Sequence, residues 1–269
     1  MSTTSLCTLA TRNGDFRVAV DGPDDAPVLV FSNSLGTTLE MWDAQAAAFS
    51  GAYRVVRYDT RGHGGSPVTP GPYTLAQLGD DVLAVLDALQ IQRAAFCGIS
   101  MGGHTGLWLA LHAPRRLTGV AVCNSAARIG SPEAWLERAR QVREGGAAAM
   151  RQLADTAPTR WFTPDFVRRA PQTVAAAQAW IAGIAAEGYA ACCEALAASD
   201  LRRALASIDL PMLLVAGNSD PVTTVADAEA MQQAVPGARL VGIPASHLSN
   251  LEAPQAFEQA LAGWLAGLA

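Results

Sequence analysis

The sequence, 269 residues long, predicts an α/β fold: a mostly parallel central sheet with helices on both faces and an inserted helical cap. Three observations lead there. Short apolar runs of strand length alternate with segments of helical spacing. Those runs are apolar nearly throughout rather than at every second residue, as befits strands covered on both faces. One long central stretch has no good strand candidate. The expected organisation is therefore a first part of the core over residues 1–130, a helical cap or lid over 131–207, and a second part of the core over 208–269.

Each element has a local reason. Val28–Ser32 follows the turn residues 22–27 and reads as a buried strand. Tyr53–Asp59 is the next strand. From Leu75 to Leu89 the apolar residues fall at 75, 78, 82, 83, 85, 86 and 89, the spacing of a helix face, and Thr74 is placed to cap it. Arg93–Cys97 is a third strand, followed by a Gly-rich turn and a helix from about Met101 to His112, stopped by Pro114. Leu117–Cys123 is a fourth strand. The central stretch is rich in Ala, Arg, Glu and Gln and carries Trp135, Trp161 and Trp180, which predicts several helices. Beyond it, Pro211–Ala216 and Arg239–Ile243 read as strands, and Thr224–Val235 and Pro254–Leu268 as helices.

Composition narrows the function. Half the residues are hydrophobic, which is ample for a sizeable core. A net charge of -5 argues against nucleic acid or an anionic membrane as the main partner. The chain has no lysine, so Schiff-base chemistry by a side chain is excluded and arginine is the fixed cation available to grip an anion. Cys7, Cys97, Cys123, Cys192 and Cys193 are irregularly spaced and show no zinc-ligand pairing. They read as buried thiols in a reducing cytoplasm. The N-terminal residues lack the order of a signal peptide, and no apolar stretch is long enough to span a bilayer. A cytoplasmic protein needing no metal or organic cofactor is the expectation.

Gly98-Ile99-Ser100-Met101-Gly102, followed by Gly103, fits G-x-S-x-G. Its setting, after a strand and before a helix, is that of the nucleophile elbow of the α/β-hydrolase fold. The turn is so tight that only small residues fit beside the serine, which is held above the sheet edge. The N–H of Met101 then points where an oxyanion would form. A serine needs a base. Of the four histidines, His104 and His112 fall on the following helix and His63 on a glycine-rich turn. His247 lies just past the strand ending at Ile243, on the loop edge where α/β sites assemble. Asp220 follows the preceding strand and completes the order Ser, Asp, His. Asp59 is its main competitor, but it precedes the serine. The second oxyanion donor should come from the loop after Val28–Ser32, with the N–H of Leu35 as candidate.

The chain resembles the 3-oxoadipate enol-lactone hydrolases, or β-ketoadipate enol-lactonases, of bacterial aromatic catabolism. The pieces that carry the resemblance are Phe31–Thr37 with Met41–Asp43, Tyr58–Ser66, Gly98–Gly103, Trp161–Pro164, Gly188–Cys193 and Ala216–Val222. Many α/β-hydrolases have His-Gly where this chain has Asn33-Ser34, and the enol-lactonases are similar to this chain there. The resemblance implies a triad of Ser100, Asp220 and His247, oxyanion donors at Leu35 and Met101, and a helical lid over a small pocket. It implies a small anionic lactone as substrate. A buried carboxylate calls for a cationic partner. Arg128, Arg138, Arg140, Arg143 and Arg160 lie in or near the cap, and Arg128 and Arg160 are the choices, with Trp135 as an apolar wall and Asn33 as a further substrate-binding candidate. The same triad would serve a general carboxylesterase or a cofactor-free perhydrolase, and a hydrolase-fold ligand receptor with little turnover could retain it, because fold does not dictate function.

Overall fold

The computed structural model describes residues 5–268; residues 1–4 and 269, placed above in the two parts of the core, lie outside the described residues. Strands β1 (Ser5–Thr11), β2 (Gly14–Asp21), β3 (Val28–Ser32), β4 (Arg54–Tyr58), β5 (Ala94–Ile99), β6 (Leu117–Cys123), β7 (Met212–Gly217) and β8 (Arg239–Ile243) form one sheet in the order β1-β2-β4-β3-β5-β6-β7-β8. All neighbours from β4 to β8 pair in parallel, whereas β1–β2 and β2–β4 are antiparallel. The two leading strands are an addition to the predicted set. β1 is largely exposed and offers no continuous apolar run. It is defined instead by a hairpin at Arg12–Asn13, closed by Gly14 at φ +116°.

Two apolar clusters occupy the opposite faces of the sheet. Leu29, Phe31, Cys97 and Val215 belong to one, and Val30, Phe96, Val122 and Leu214 to the other. Adjacent residues of one strand thus face different cores, which is the physical reason for the unbroken apolar runs. Helices α1 (Asp43–Phe49), α2 (Leu75–Ala88) and α3 (Met101–His112) connect β3 to β4, β4 to β5 and β5 to β6. Thr74 caps α2 by accepting from the N–H of Gln77.

Between β6 and β7 lie α4 (Pro132–Thr156), α5 (Pro158–Trp161), α6 (Pro164–Arg169), α7 (Pro171–Gly183) and α8 (Ala186–Ala197). Proline opens four of these five, where its missing N–H costs nothing. α4 is broken at Gly146, φ +53°. α9 (Val225–Ala234), α10 (Ser249–Glu252) and α11 (Pro254–Leu265) complete the chain. Helix α8 docks on the loop after β4 through a backbone contact of Gly188 with Gly62, where a Cβ on Gly188 would meet Gly62 O at 2.3 Å. Cys97, Cys123, Cys192 and Cys193 are buried free thiols, but Cys7 is exposed, because β1 is an edge strand. Among the described residues no helix is long and apolar enough to cross a membrane, and no cluster of three metal-ligating side chains occurs.

Candidate active site

The parallel strands end on one edge of the sheet, and the site assembles there from the loops after β3, β5, β6, β7 and β8. Ser100 joins β5 to α3 with φ 56° and ψ −117°, a conformation costly for a residue with a Cβ. The glycines around it have steric causes. A Cβ on Gly98 would meet Gly102 C at 2.2 Å, and one on Gly102 would meet Ser32 O at 2.3 Å. The elbow therefore lies directly against the end of β3. Ser100 N–H donates to Cys123 O at 3.0 Å, which fastens the turn to β6.

His247 donates from Nδ1 to Asp220 Oδ2 at 2.8 Å, and both side chains are buried. That bond leaves Nε2 for the serine side. Asp220 is held on every side: Val222 N–H and Thr223 N–H donate to Oδ1, while Thr223 Oγ1 and Asn124 Nδ2 donate to Oδ2. Burial opposes its ionisation, but the charge and hydrogen bond of His247, the Asn124 amide and Val222 N–H outweigh burial and hold its carboxyl below the usual range. Asn124 follows β6 at φ +42° and was not foreseen from the sequence. Its Oδ1 accepts from Ser249 Oγ, which orients the amide so that Nδ2 faces Asp220. Nothing in the local pattern marks such a residue apart from its position at a strand end.

Asp59 does not compete for His247. Its carboxylate accepts from Leu39 N–H at 2.8 Å, Gly65 N–H at 2.9 Å and Arg17 at 3.1 Å. His104 donates to Ala126 O and meets Ser199 Oγ, and His112 lies exposed at the end of α3. His63 is fully buried and uses Nε2 to accept the N–H of Gly36, which makes Nδ1 the protonated nitrogen, directed at Arg61 O. This fastens the loop that carries Leu35. The N–H of Leu35 has no protein acceptor among the described residues, and the N–H of Met101 opens α3, where no intrahelical acceptor exists.

A cavity of about 210 Å³ lies between this edge and the cap. Ser34, Leu35, Ser100 and His247 form its floor, and Trp135, Arg138, Arg160, Trp161, Ile181 and Tyr189 close it from the cap. Trp135 is fixed by donating from Nε1 to Ile129 O at 2.6 Å. Arg138 stacks on the Trp135 ring at 5.3 Å. Neither Arg138 nor Arg160 has an ion-pair partner among the described residues. Burial, reinforced by Arg138, disfavours the charge of Arg160.

Two expected substrate contacts need correction. Asn33 is fully buried outside the cavity: its Nδ2 donates to Tyr58 O at 3.0 Å and its Oδ1 accepts from Trp42 Nε1 at 3.1 Å. Its amide is spent on holding the loop after β3. Arg128 faces Asp200 at 3.8 Å and lines an adjoining depression with Arg202 and Asp227, across Gly130, Ser131 and Val222 from the cavity. Arg138 takes its place in the cavity. The signal was available, since Arg138 follows Trp135 by three residues on one helix and so shares its face.

The chain matches the model of the alpha/beta hydrolase fold over residues 27–254. It is 50% identical over 254 residues to 3-oxoadipate enol-lactonase 2 of Acinetobacter baylyi, covering 94% of each chain. It is 47% identical over 248 residues to 3-oxoadipate enol-lactonase 1 of the same organism, covering 92% of each. The crystal structure of the enol-lactonase from Burkholderia xenovorans superimposes with a TM-score of 0.93 at 45% identity, covering 97% of this chain and 100% of that one.

Proposed function

The chain belongs to the 3-oxoadipate enol-lactonase family of α/β-hydrolases, and from that membership we propose that it hydrolyses 3-oxoadipate enol-lactone to 3-oxoadipate by a serine mechanism. The observation that carries this reading is the content of one cavity: Ser100 and His247 on its floor, Arg138 and Arg160 on its roof without carboxylate partners. The first pair suits acyl transfer. The second suits a substrate that brings its own carboxylate, which would compensate two half-buried cations.

His247 accepts the Ser100 proton at Nε2 as Oγ attacks the lactone carbonyl carbon. Asp220, kept ionised, fixes the ring tautomer and balances the imidazolium. The tetrahedral oxyanion accepts from the N–H groups of Leu35 and Met101. Collapse re-forms the carbonyl and breaks the ring C–O bond. The departing enol oxygen takes the proton from His247, leaving an acyl ester on Ser100. Water then gives a proton to His247 while its oxygen attacks the ester. The second collapse expels Ser100, which recovers its proton. The enol tautomerises to the ketone, so the net reaction is lactone plus water to a dicarboxylate. Trp135, Trp161 and Ile181 give the ring an apolar wall.

The test is turnover of the enol-lactone followed by ultraviolet absorbance, beside a neutral nitrophenyl ester, for wild type and Ser100→Ala. The expected result is lactone turnover well above ester turnover, abolished by the substitution. Ester cleavage without lactone preference would defeat the substrate assignment. Full activity of Ser100→Ala would defeat the mechanism.

A further inference from the structure

Glu252 closes α10 and is 4% exposed, yet no arginine or histidine approaches its carboxylate within ion-pair distance among the described residues. An unpaired buried carboxylate is costly unless hydrogen bonds compensate it. Its partners come from two places. Oε2 accepts the N–H of Ser246 at 2.9 Å, the residue immediately before His247. Oε1 accepts the hydroxyl of Thr163, and both oxygens lie 3.3 Å from Thr163 N. Thr163 belongs to the cap, two residues after Trp161 and three after Arg160, which line the cavity. On the other side of His247, Leu248 N–H donates to Trp161 O at 3.0 Å. The loop carrying His247 is thus bonded to the cap segment 161–163 on both sides of the histidine.

We propose that Glu252 is a positioning residue for His247: its carboxylate clamps the histidine loop to the cap, so that the base and the Arg160–Trp161 wall keep one mutual arrangement. This rests on His247 being the base for Ser100, as argued above. The Asp220 bond orients the ring about Nδ1, but it does not determine the height of the loop above Ser100. On the β7 side the loop is held by Asn124 Nδ2 donating to Ser246 O at 3.1 Å and Ser219 N–H donating to Ala245 O at 3.0 Å; on the cap side the Glu252 and Trp161 anchors flanking the histidine hold it. The clamp needs acceptors on both oxygens, because every group directed at them is a donor. A glutamine would turn one oxygen into a donor facing the N–H of Thr163 or of Ser246, neither of which can accept.

The test uses Glu252→Gln, Thr163→Val, their double variant and Thr163→Ser. Two rates are read: covalent labelling of Ser100 by a small neutral fluorophosphonate, which requires the base but no lactone recognition, and kcat and KM for the enol-lactone. Misplacing a base by a fraction of an ångström is expected to lower both the labelling rate and kcat about tenfold in each single variant, with KM changed less than about twofold. The double variant should lose little more than Glu252→Gln alone, because the Thr163 hydroxyl reaches the histidine loop through Glu252, and Thr163→Ser, which keeps the hydroxyl that also caps α6 by accepting from Phe166 N–H, should retain the wild-type rates. Labelling within about twofold of wild type in both Thr163→Val and Glu252→Gln, or a loss confined to KM, would overturn the proposal. If Glu252→Gln does not fold, Thr163→Val decides alone. If wild type labels rapidly but does not open the lactone, the substrate reading fails while the labelling comparison still judges the clamp.

Discussion

Gly36 donates its backbone N–H to Nε2 of His63 at 3.0 Å, so a fully buried imidazole holds in place the loop that carries Leu35. The ring must be neutral to accept. Burial pushes His63 down to about 4, against which the bond to Arg61 O is a smaller effect. Burial likewise lowers His104 to about 4.

The pH dependence of stability follows. In the unfolded chain both rings protonate near 6.5, while in the fold they stay neutral to about 4. Between those values the unfolded state binds more protons, so stability falls as the pH drops, by up to about 1.4 kcal/mol per pH unit for each ring. The loss levels once the folded rings also protonate. Urea unfolding at pH 7, 6, 5 and 4 measures it. His63→Gln keeps an acceptor for Gly36 but cannot titrate, and it should remove one ring's share of the slope. An unchanged slope would show that His63 is not kept neutral by the fold.

Ser100 makes a second prediction, about stability rather than rate. Its φ of 56° and ψ of −117° are open to glycine without penalty, but cost a residue with a Cβ about 1–3 kcal/mol. Ser100→Ala removes the hydroxyl and keeps the strain. Ser100→Gly removes both. Glycine adds about 0.4–1 kcal/mol of unfolded-state entropy, which opposes the gain but does not cancel it at the middle of that range. Ser100→Gly is therefore expected to be the more stable of the two by about 1 kcal/mol, with neither active, as read from denaturant midpoints at equal slope. A less stable glycine variant would mean the elbow is not strained.

What could be read from the sequence divides along physical lines. β3, β5, β6 and β7 announced themselves because strands buried on both faces leave long apolar runs, and the Ser100 elbow because its glycines fall at fixed spacing around the serine, Gly98 demanded by the backbone of Gly102 four residues on. β1 was silent, since an exposed edge strand carries no burial signal. The line between contact and support was harder. Asn33 sits in a segment that resembles the enol-lactonases, yet its amide faces Tyr58 and Trp42. Arg128 and Arg138 are both basic residues near the start of the cap, and only the fold reveals that the first is paired with Asp200. Asn124 reaches Asp220 across 96 residues, and Glu252 joins the His247 loop to Thr163 across 89, through contacts that periodicity does not encode.

The arginine pair yields the sharpest test of substrate charge. Arg138 and Arg160 share one cavity, and each lacks an acidic partner among the described residues. Burial, with Arg138 adding to it, already disfavours the charge of Arg160. In the free protein this is a cost, since two like charges in a partly dry site repel. An arriving carboxylate removes it. Two opposite effects are thus expected of Arg160→Met, which leaves the Arg138–Trp135 stack in place. The melting temperature without ligand should hold or rise, because the repulsion disappears and the aliphatic stem is kept. Lactone kcat/KM should fall about 10–100-fold, the worth of a charged hydrogen bond of about 1.5–3 kcal/mol. A neutral nitrophenyl ester has no carboxylate to lose, so its turnover should change far less than that of the lactone. Equal losses on both substrates would assign Arg160 to the architecture of the cap, and a marked fall in melting temperature would say the same.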